Sequence, residues 1–154
     1  MSEISKQNQM SFVVCVQCMT YNQSAYIRDT LNGFTMQQTT FPYVCVVVDD
    51  ASTDGEPEVI KKYLSDHFDM EDESVIRHQE TDDYVMAFAQ HKENRNCYFA
   101  VYFLKYNHFG KKRKNPYFKE FQDGSKYLAN CEGDDYWTEP RKLKIQFDYL
   151  VSNS

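Results

Sequence analysis

Residues 43–55 have the sequence YVCVVVDDASTDG, in which an uninterrupted apolar run ends in a turn rich in Asp, Ser and Thr. The run has no polar alternation. It therefore predicts a strand from Tyr43 to Val48 that is covered on both faces, as in a parallel sheet flanked by helices. Pro57 suits the first turn of the helix that should follow. This stretch predicts the strand, turn and helix of an α/β fold.

The preceding segment has the same organisation. Residues 12–19 (FVVCVQCM) form a Val-rich apolar run that ends at Thr20-Tyr21-Asn22, which predicts a buried strand and a loop. We expect Ser24 to cap the next helix. The chain thus begins as strand, helix, strand, helix.

The following segment predicts two more strands, at residues 97–104 (CYFAVYFL) and 126–131 (KYLANC). The spacing of the apolar residues between positions 84 and 89 permits a helix. A last helix is expected to begin at Thr138 and Pro140, with one apolar face formed by Leu143, Phe147, Leu150 and Val151.

Length and composition restrict the class of protein. A chain of 154 residues is about the size of one domain, and we expect residues 1–10 to be a flexible N-terminus. The formal charge of -6 disfavours binding to nucleic acid. No stretch reaches the roughly 20 apolar residues of a membrane span. We therefore expect a cytoplasmic protein without a transmembrane segment.

Five cysteines are present, and most lie within apolar runs. Such positions are typical of reduced thiols that pack as small apolar side chains. Cys15 and Cys18 have the spacing of a redox or zinc pair, but positions three apart on a strand point to opposite faces. We therefore predict no metal or redox role for them.

Two acidic clusters directly follow apolar strands, Asp49-Asp50 and Glu132-Gly133-Asp134-Asp135. If the strands are parallel, both clusters lie at the carboxyl edge of the sheet, where open α/β sheets bind ligands. Converging carboxylates repel one another unless a cation or hydrogen-bond donors balance them. Strand-end turns and helix caps are common uses of Asp and explain the same spacing equally well.

Four features in this order resemble family 2 glycosyltransferases of the GT-A fold. They are Thr20-Tyr21-Asn22, the turn at residues 49–55, Tyr127-Leu128-Ala129, and the EGDDYW sequence at residues 132–137 with Pro140 and Leu143. The resemblance covers about Phe12 to Leu150. It implies a Rossmann-like three-layer sandwich with a mostly parallel central sheet. Residues 11–154 would be its nucleotide-sugar-binding part, truncated after the helix that follows the metal motif.

The resemblance also implies a function. It suggests inverting transfer of a sugar from a nucleoside-diphosphate donor, UDP-sugar above all, to a saccharide or other hydroxyl acceptor, with Mn²⁺ or Mg²⁺ on the diphosphate. Asp134 and Asp135 would hold the metal. Asp50 would bind the base through an exposed side chain. The nucleotide-sugar site would comprise Thr20, Tyr21, Asn22, Asp49, Asp50, Ser52, Glu132 and Asp134.

The catalytic base of this family is a carboxylate well downstream of the metal motif, in a region expected beyond Ser154. Glu139 and Asp148 are the acids that follow Asp135, and both suit surface or capping roles. A non-catalytic module that binds a nucleotide sugar is therefore the alternative to an enzyme. Surface polysaccharide synthesis is a plausible setting, and the basic run Lys111–Lys114 is expected to be a solvated loop.

Three other α/β classes fit less well. A phosphoacceptor receiver domain places its acidic pair after the first strand, whereas here the pair follows the second. A haloacid-dehalogenase-type phosphatase needs a second Asp two positions after the first, where this chain has Ala51. A sugar nucleotidyltransferase carries a Gly-rich basic loop where this chain has residues 20–24, TYNQS.

Overall fold

The computed structural model describes residues 11–71 and 77–153, so the predicted flexible N-terminus at residues 1–10 lies outside the described residues. Strands and helices alternate through the first half of the chain, and a group of adjacent strands follows. The elements are β1 Phe12–Thr20, α1 Ile27–Thr35, β2 Tyr43–Asp49, α2 Glu56–His67, β3 Phe68–Asp69, β4 Arg77–Glu80, β5 Tyr84–His91, β6 Cys97–Leu104, α3 Asn115–Gln122, β7 Ser125–Asn130 and α4 Lys142–Ser152.

The strands form one sheet in the order β3-β5-β6-β2-β1-β7, with β4 also paired to β5. The four strands β6, β2, β1 and β7 run parallel, and β5 is antiparallel to its neighbours. Val16 of β1 lies between Cys45 of β2 and Ala129 of β7. The prediction of a mostly parallel central sheet is therefore confirmed.

Every residue of β2 is buried, because helices cover both faces of the sheet. Cys45 and Val47 pack in the same apolar cluster as Leu31 of α1 and Ile60 of α2. Val44, Val46 and Val48 face the other way and pack with Phe118 and Phe121 of α3. Each fully buried Val stabilises the fold by roughly 1.5–3 kcal/mol. The three layers predicted from the uninterrupted apolar run are confirmed.

The prediction that residues 84–89 could form a helix is wrong, because Tyr84–His91 forms β5. Its backbone pairs with β6 on one side and with β3 and β4 on the other. The apolar residues of this segment form a nearly continuous run. Such a run suits a strand covered on both faces as well as a helix, and pairing with the sheet decides between them.

Two helix boundaries also differ from the expectation. Helix α1 begins at Ile27 without a side-chain cap, and the backbone N–H of Ser24 instead donates to Asp54 Oδ2 at 3.0 Å. Helix α4 begins at Lys142 rather than at residues 138–140. Of the predicted apolar face of α4, Leu143 is buried, whereas Leu150 and Val151 are exposed. In the described part of the chain, no helix has both the length and the apolar character needed to cross a bilayer.

Candidate functional site

The carboxyl ends of β2, β1 and β7 meet at one edge of the sheet. Beyond the paired strands, the N–H of Asp50 donates to the carbonyl of Thr20 at 3.0 Å, and the N–H of Gly133 donates to the carbonyl of Met19 at 3.2 Å. These bonds bring the two acidic clusters to the same place. Residues of both clusters border a cavity of about 360 Å³. Its lining consists of Met19, Thr20, Tyr21, Gln23, Asp50, Lys114, Glu132, Gly133 and Asp134.

A larger cavity of about 500 Å³ lies at the opposite edge of the sheet, between residues 35–40 and the start of α4. Its walls are mostly amides and hydroxyls at the amino ends of the strands. Because open α/β sheets bind ligands at the carboxyl ends of their strands, the smaller cavity is the candidate site. The prediction that Asp50 and Asp134 share one edge is confirmed.

Asp50 is held by three groups from the loop between β6 and α3. Its Oδ1 accepts the backbone N–H of His108 at 2.8 Å, and its Oδ2 accepts Lys114 Nζ at 3.0 Å. Its carbonyl accepts Asn107 Nδ2 at 3.1 Å. Asp50 is only 5% exposed. The expectation of an exposed side chain is therefore wrong, because the β6–α3 loop folds over the strand end.

The basic run also differs in part from the expectation of a solvated loop. Lys111, Lys112 and Arg113 are exposed, and Lys112 forms an ion pair with Asp83. Lys114 instead lines the cavity, with its side chain 18% exposed. Lys114 therefore places a positive charge beside Asp50, the carboxylate that was predicted to bind the nucleotide base.

The turns after β1 and β2 are joined through Asn22. Its N–H donates to Ser52 Oγ at 2.9 Å, and its Oδ1 accepts the N–H of Thr53 at 2.8 Å. Asn22 and Ala51 both have a left-handed backbone, with φ of 52° and 57°. Neither Asn22 nor Ser52 borders the cavity. Asn22 and Ser52 instead stabilise the turn in which Tyr21 lies against the cavity.

Beneath this turn lies a pair of buried acids, Asp49 and Glu56, which are 1% and 0% exposed. Ser52 Oγ lies 2.5 Å from Asp49 Oδ1 and 2.6 Å from Glu56 Oε2. The Thr20 hydroxyl bonds to Glu56 Oε1. Burial raises the pKa of Asp49 to about 7, with Ser52 lowering it and Glu56 raising it. Asp49, predicted as a binding residue, is therefore placed under the cavity and not in its wall.

Helix α1 and Gln37, which closely follows it, hold the acidic loop at residues 132–140. The Thr30 hydroxyl, fully buried, contacts the carbonyls of Gly133, at 2.9 Å, and of Asp135. Gln37 Nε2 donates to the carbonyl of Glu139 at 2.9 Å, and its Oε1 accepts the N–H of Leu143. The carboxylates of the loop are thus positioned by a helix about a hundred residues earlier in the chain.

Replacing Thr30 with valine is expected to lower the free energy of unfolding by about 1–2 kcal/mol, because the carbonyls of Gly133 and Asp135 lose the one hydroxyl hydrogen that they share while the side-chain volume hardly changes. Urea denaturation measures this loss. Thr138→Val is the matched control, since Thr138 is exposed on the same loop. Equal stability of the two variants would contradict the role of Thr30 in holding the loop.

Comparison with known proteins agrees with this geometry. Residues 15–90, which include most of β1, all of β2 and the turn that carries Asp50, match the family model "Glycosyl transferase family 2". Residues 15–90 of this chain belong to glycosyl transferase family 2.

Solved structures share the fold of this glycosyltransferase domain. The structure of S. aureus TarS 1-349 in complex with UDP covers 91% of the chain at a TM-score of 0.55 and 21% identity, and the chain covers 32% of that protein. The complex of the same protein with UDP-GlcNAc gives a TM-score of 0.56 and 22% identity, with 91% of this chain and 31% of that chain covered. The predicted GT-A architecture is confirmed.

Two mycobacterial relatives are closer in sequence. They are the uncharacterized proteins Rv1520 of Mycobacterium tuberculosis (strain H37Rv) and Mb1547 of Mycobacterium bovis, each 34% identical to the glycosyltransferase domain over 134 residues. The match covers 86% of this chain and 30% of each relative. The chain therefore spans less than a third of the length of these relatives.

The carboxylates predicted to hold a metal are exposed at the cavity of the glycosyltransferase domain. Glu132 and Asp134 border it, and Asp135 is exposed beside them. Among the described residues, no three His, Cys, Asp or Glu side chains are grouped to hold a metal ion. Mg²⁺ commonly takes only one or two protein carboxylates and completes its shell with phosphate oxygens and water. Asp134 and Asp135 supply that number of carboxylates, and their role as metal ligands stays a prediction.

The cysteines of the glycosyltransferase domain are all free and buried. Cys15 and Cys18 belong to the clusters on opposite faces of the sheet. Burial raises the pKa of Cys15 to about 12, which keeps its thiol protonated. This arrangement agrees with the prediction of packed, unreactive thiols.

Proposed function

We propose that this domain binds a nucleoside-diphosphate sugar, with UDP as the nucleotide, in the cavity between Asp50 and Asp134. The observation that carries the proposal is that the strand ends of a family 2 glycosyltransferase bring these two carboxylates to one cavity. The TarS structures of the same fold were solved with UDP and UDP-GlcNAc, which supports this choice of donor.

Asp50 is suited to bind the base. A carboxylate has about four lone-pair positions, and the side-chain oxygens of Asp50 use two, for the His108 N–H and for Lys114. The remaining positions can accept the N–H of a uracil ring. Because Lys114 and the His108 N–H fix both oxygens, the acceptor is positioned before the nucleotide arrives. Thr20 and Tyr21, in the same wall, would contact the base and ribose.

The opposite wall would receive the diphosphate. A divalent ion, Mn²⁺ or Mg²⁺, held by Asp134 and Asp135 would offset the negative charge that the diphosphate gains as the glycosidic bond breaks. Glu132, which borders the same wall, would bond the ribose or the sugar. Without a cation, the carboxylates and the phosphates would repel one another.

Inverting transfer to a hydroxyl acceptor also requires a base, and we propose that it lies outside residues 1–154. Of the acids that follow Asp135, Asp148 forms an ion pair with Lys144, and Glu139 accepts the N–H of Arg141. Both are thus occupied locally. The domain by itself would then act as the donor-binding module of a glycosyltransferase that makes a saccharide or polysaccharide.

The test is a calorimetric titration of UDP and UDP-GlcNAc with Mn²⁺ and with a chelator. Chelation is expected to weaken binding about tenfold or more, because several phosphate and carboxylate charges lose their counter-ion. The double variant Asp134→Asn with Asp135→Asn should reproduce that loss in the presence of Mn²⁺. The control is Asp123→Asn with Asp148→Asn, which removes two exposed charges outside the cavity.

Two results would contradict the proposal in different ways. Binding that does not depend on the metal would remove Asp134 and Asp135 from their role, and absence of UDP binding would reject the nucleotide site. Incubation with Mn²⁺, labelled nucleotide sugars and mixed acceptors tests turnover. Robust sugar transfer would place the catalytic base within this chain.

A further inference from the structure

The two acids beneath the turn have a hydrogen-bonding requirement that their ionised forms cannot meet. Ser52 Oγ lies between Asp49 Oδ1, at 2.5 Å, and Glu56 Oε2, at 2.6 Å, and it also accepts the N–H of Asn22. A hydroxyl carries one hydrogen and can donate it to only one acceptor. The second short oxygen–oxygen contact therefore needs another hydrogen, which one of the two carboxyls must supply.

The surroundings of the pair also favour a shared proton. Asp49 Oδ2 is buried and has no hydrogen-bond partner among the described residues, a position that is costly for a charged oxygen. Charged groups near the pair are mainly negative: Asp54 accepts the N–H of Glu56, and Glu132 and Asp134 lie beyond Cys18. Lys61 of α2 lies over the ring of Phe103, the partner of Asp49 in the sheet.

We propose that Glu56 is a positioning residue of the nucleotide site, which shares one proton with Asp49 through Ser52 and so makes nucleotide binding weaken as the pH rises past neutrality. Glu56 acts on the cavity through two neighbours. It bonds the hydroxyl of Thr20, which lines the cavity, and through Ser52 it reaches the N–H of Asn22, next to Tyr21. The effect on binding rests on the proposed function, whereas the shared proton does not.

The direction of the pH effect follows from the pKa of Asp49, which burial raises to about 7. A carboxyl whose pKa is higher in the folded state stabilises that state fully at pH values below its ordinary pKa of about 4, and the contribution is lost as the pH rises through the folded value. Above this value the pair would lose its shared proton. Ser52 could then bridge only one of them, and repulsion would displace Glu56 together with Thr20.

Glu56→Gln separates the shared proton from the shape of the side chain. The amide can accept the Thr20 hydroxyl at its oxygen and donate its N–H to Ser52 Oγ, and Ser52 can then donate to an ionised Asp49. Every contact of Ser52 is then satisfied without an extra proton. Glu56→Ala removes the same contacts altogether. Glu58→Gln is the matched control, because Glu58 is exposed on the same helix.

The experiment measures UDP affinity with Mn²⁺ by calorimetry at pH 6 and pH 8, and the melting temperature of the ligand-free protein over the same range. For the unaltered protein and for Glu58→Gln, affinity should fall about threefold to tenfold between the two pH values, since one pKa unit corresponds to a factor of ten. Their melting temperatures should fall as well. Glu56→Gln should bind UDP with an affinity that falls less between the two pH values than that of the unaltered protein, because Glu56 no longer raises the pKa of Asp49 whereas burial still does, and Glu56→Ala should bind weakly at both values.

The two proposals fail in distinguishable ways. If Glu56→Gln keeps the pH dependence of the unaltered protein in both affinity and melting temperature, the shared proton is rejected even though UDP binds. If UDP does not bind at either pH, the proposed function and the positioning role are rejected. A melting temperature that depends more strongly on pH in the unaltered protein than in Glu56→Gln would in that case support the shared proton alone.

Discussion

Replacing Gly133 with alanine is expected to weaken UDP binding about 100-fold, as a misplacement of about 1 Å in a binding site can do. A Cβ atom at this position would lie 2.1 Å from Thr20 Oγ1 and 2.5 Å from Thr20 Cβ. Thr20 cannot turn away, because its hydroxyl is bonded to the buried Glu56 and its backbone is paired with β2. The acidic loop must move instead, and it carries Asp134 with it.

Calorimetric titration with UDP and Mn²⁺ measures this effect, and circular dichroism verifies that the sheet is retained. Gly124→Ala is the matched control, because a Cβ at Gly124 would meet no atom within 4 Å. Affinity close to that of the unaltered protein would show that the nucleotide does not require the acidic loop to lie against Thr20.

The substitution Asp50→Ala is expected to have the second large effect. It should lower both the affinity for UDP and the stability of the fold. UDP affinity is expected to fall about tenfold to 100-fold, since a hydrogen bond to a charged group contributes about 1.5–3 kcal/mol. The free energy of unfolding should fall by about 2 kcal/mol, because Lys114 and the N–H of His108 lose a partner within a mostly buried site.

Nucleotide titration and urea denaturation separate the two effects. Lys114→Met should destabilise the protein similarly, because it leaves the buried Asp50 carboxylate without its cation. Asp83→Ala serves as the control, since its ion pair with Lys112 lies at the surface and outside the cavity. Unchanged UDP affinity in Asp50→Ala would remove Asp50 from the site. Unchanged stability would contradict its pairing with Lys114.

The sequence was sufficient to predict the four parallel strands of the sheet and the edge at which the acids meet. An uninterrupted apolar run identifies a strand covered on both faces, and parallel strands necessarily end at one edge. Asp50 and Asp134 follow such strands, so their meeting did not depend on any detail of packing. Five of the eight predicted nucleotide-site residues border the cavity: Thr20, Tyr21, Asp50, Glu132 and Asp134.

The contacts that position these residues could not be predicted in the same way. Lys114 reaches Asp50 across 64 residues of sequence, and periodicity carries no information on such pairs. The basic run was the only signal, and it did not distinguish Lys114 from its solvated neighbours. Glu56 stands in the first turn of a helix, where acids are common at the surface because they interact favourably with the helix dipole. Its complete burial became evident only from the structure.

The attachment of the acidic loop to α1 has a consequence for how the protein is made. One wall of the cavity comes from the turns after β1 and β2, and the other from residues 132–140, which Thr30 and Gln37 hold. A nascent chain therefore forms the first wall early, but the cavity stays open until β7 has emerged from the ribosome and paired with β1. Contacts so distant in sequence form slowly, and the edge of β1 remains available for mispairing in the meantime. The cavity is therefore complete only once the acidic loop has docked on the first part of the chain.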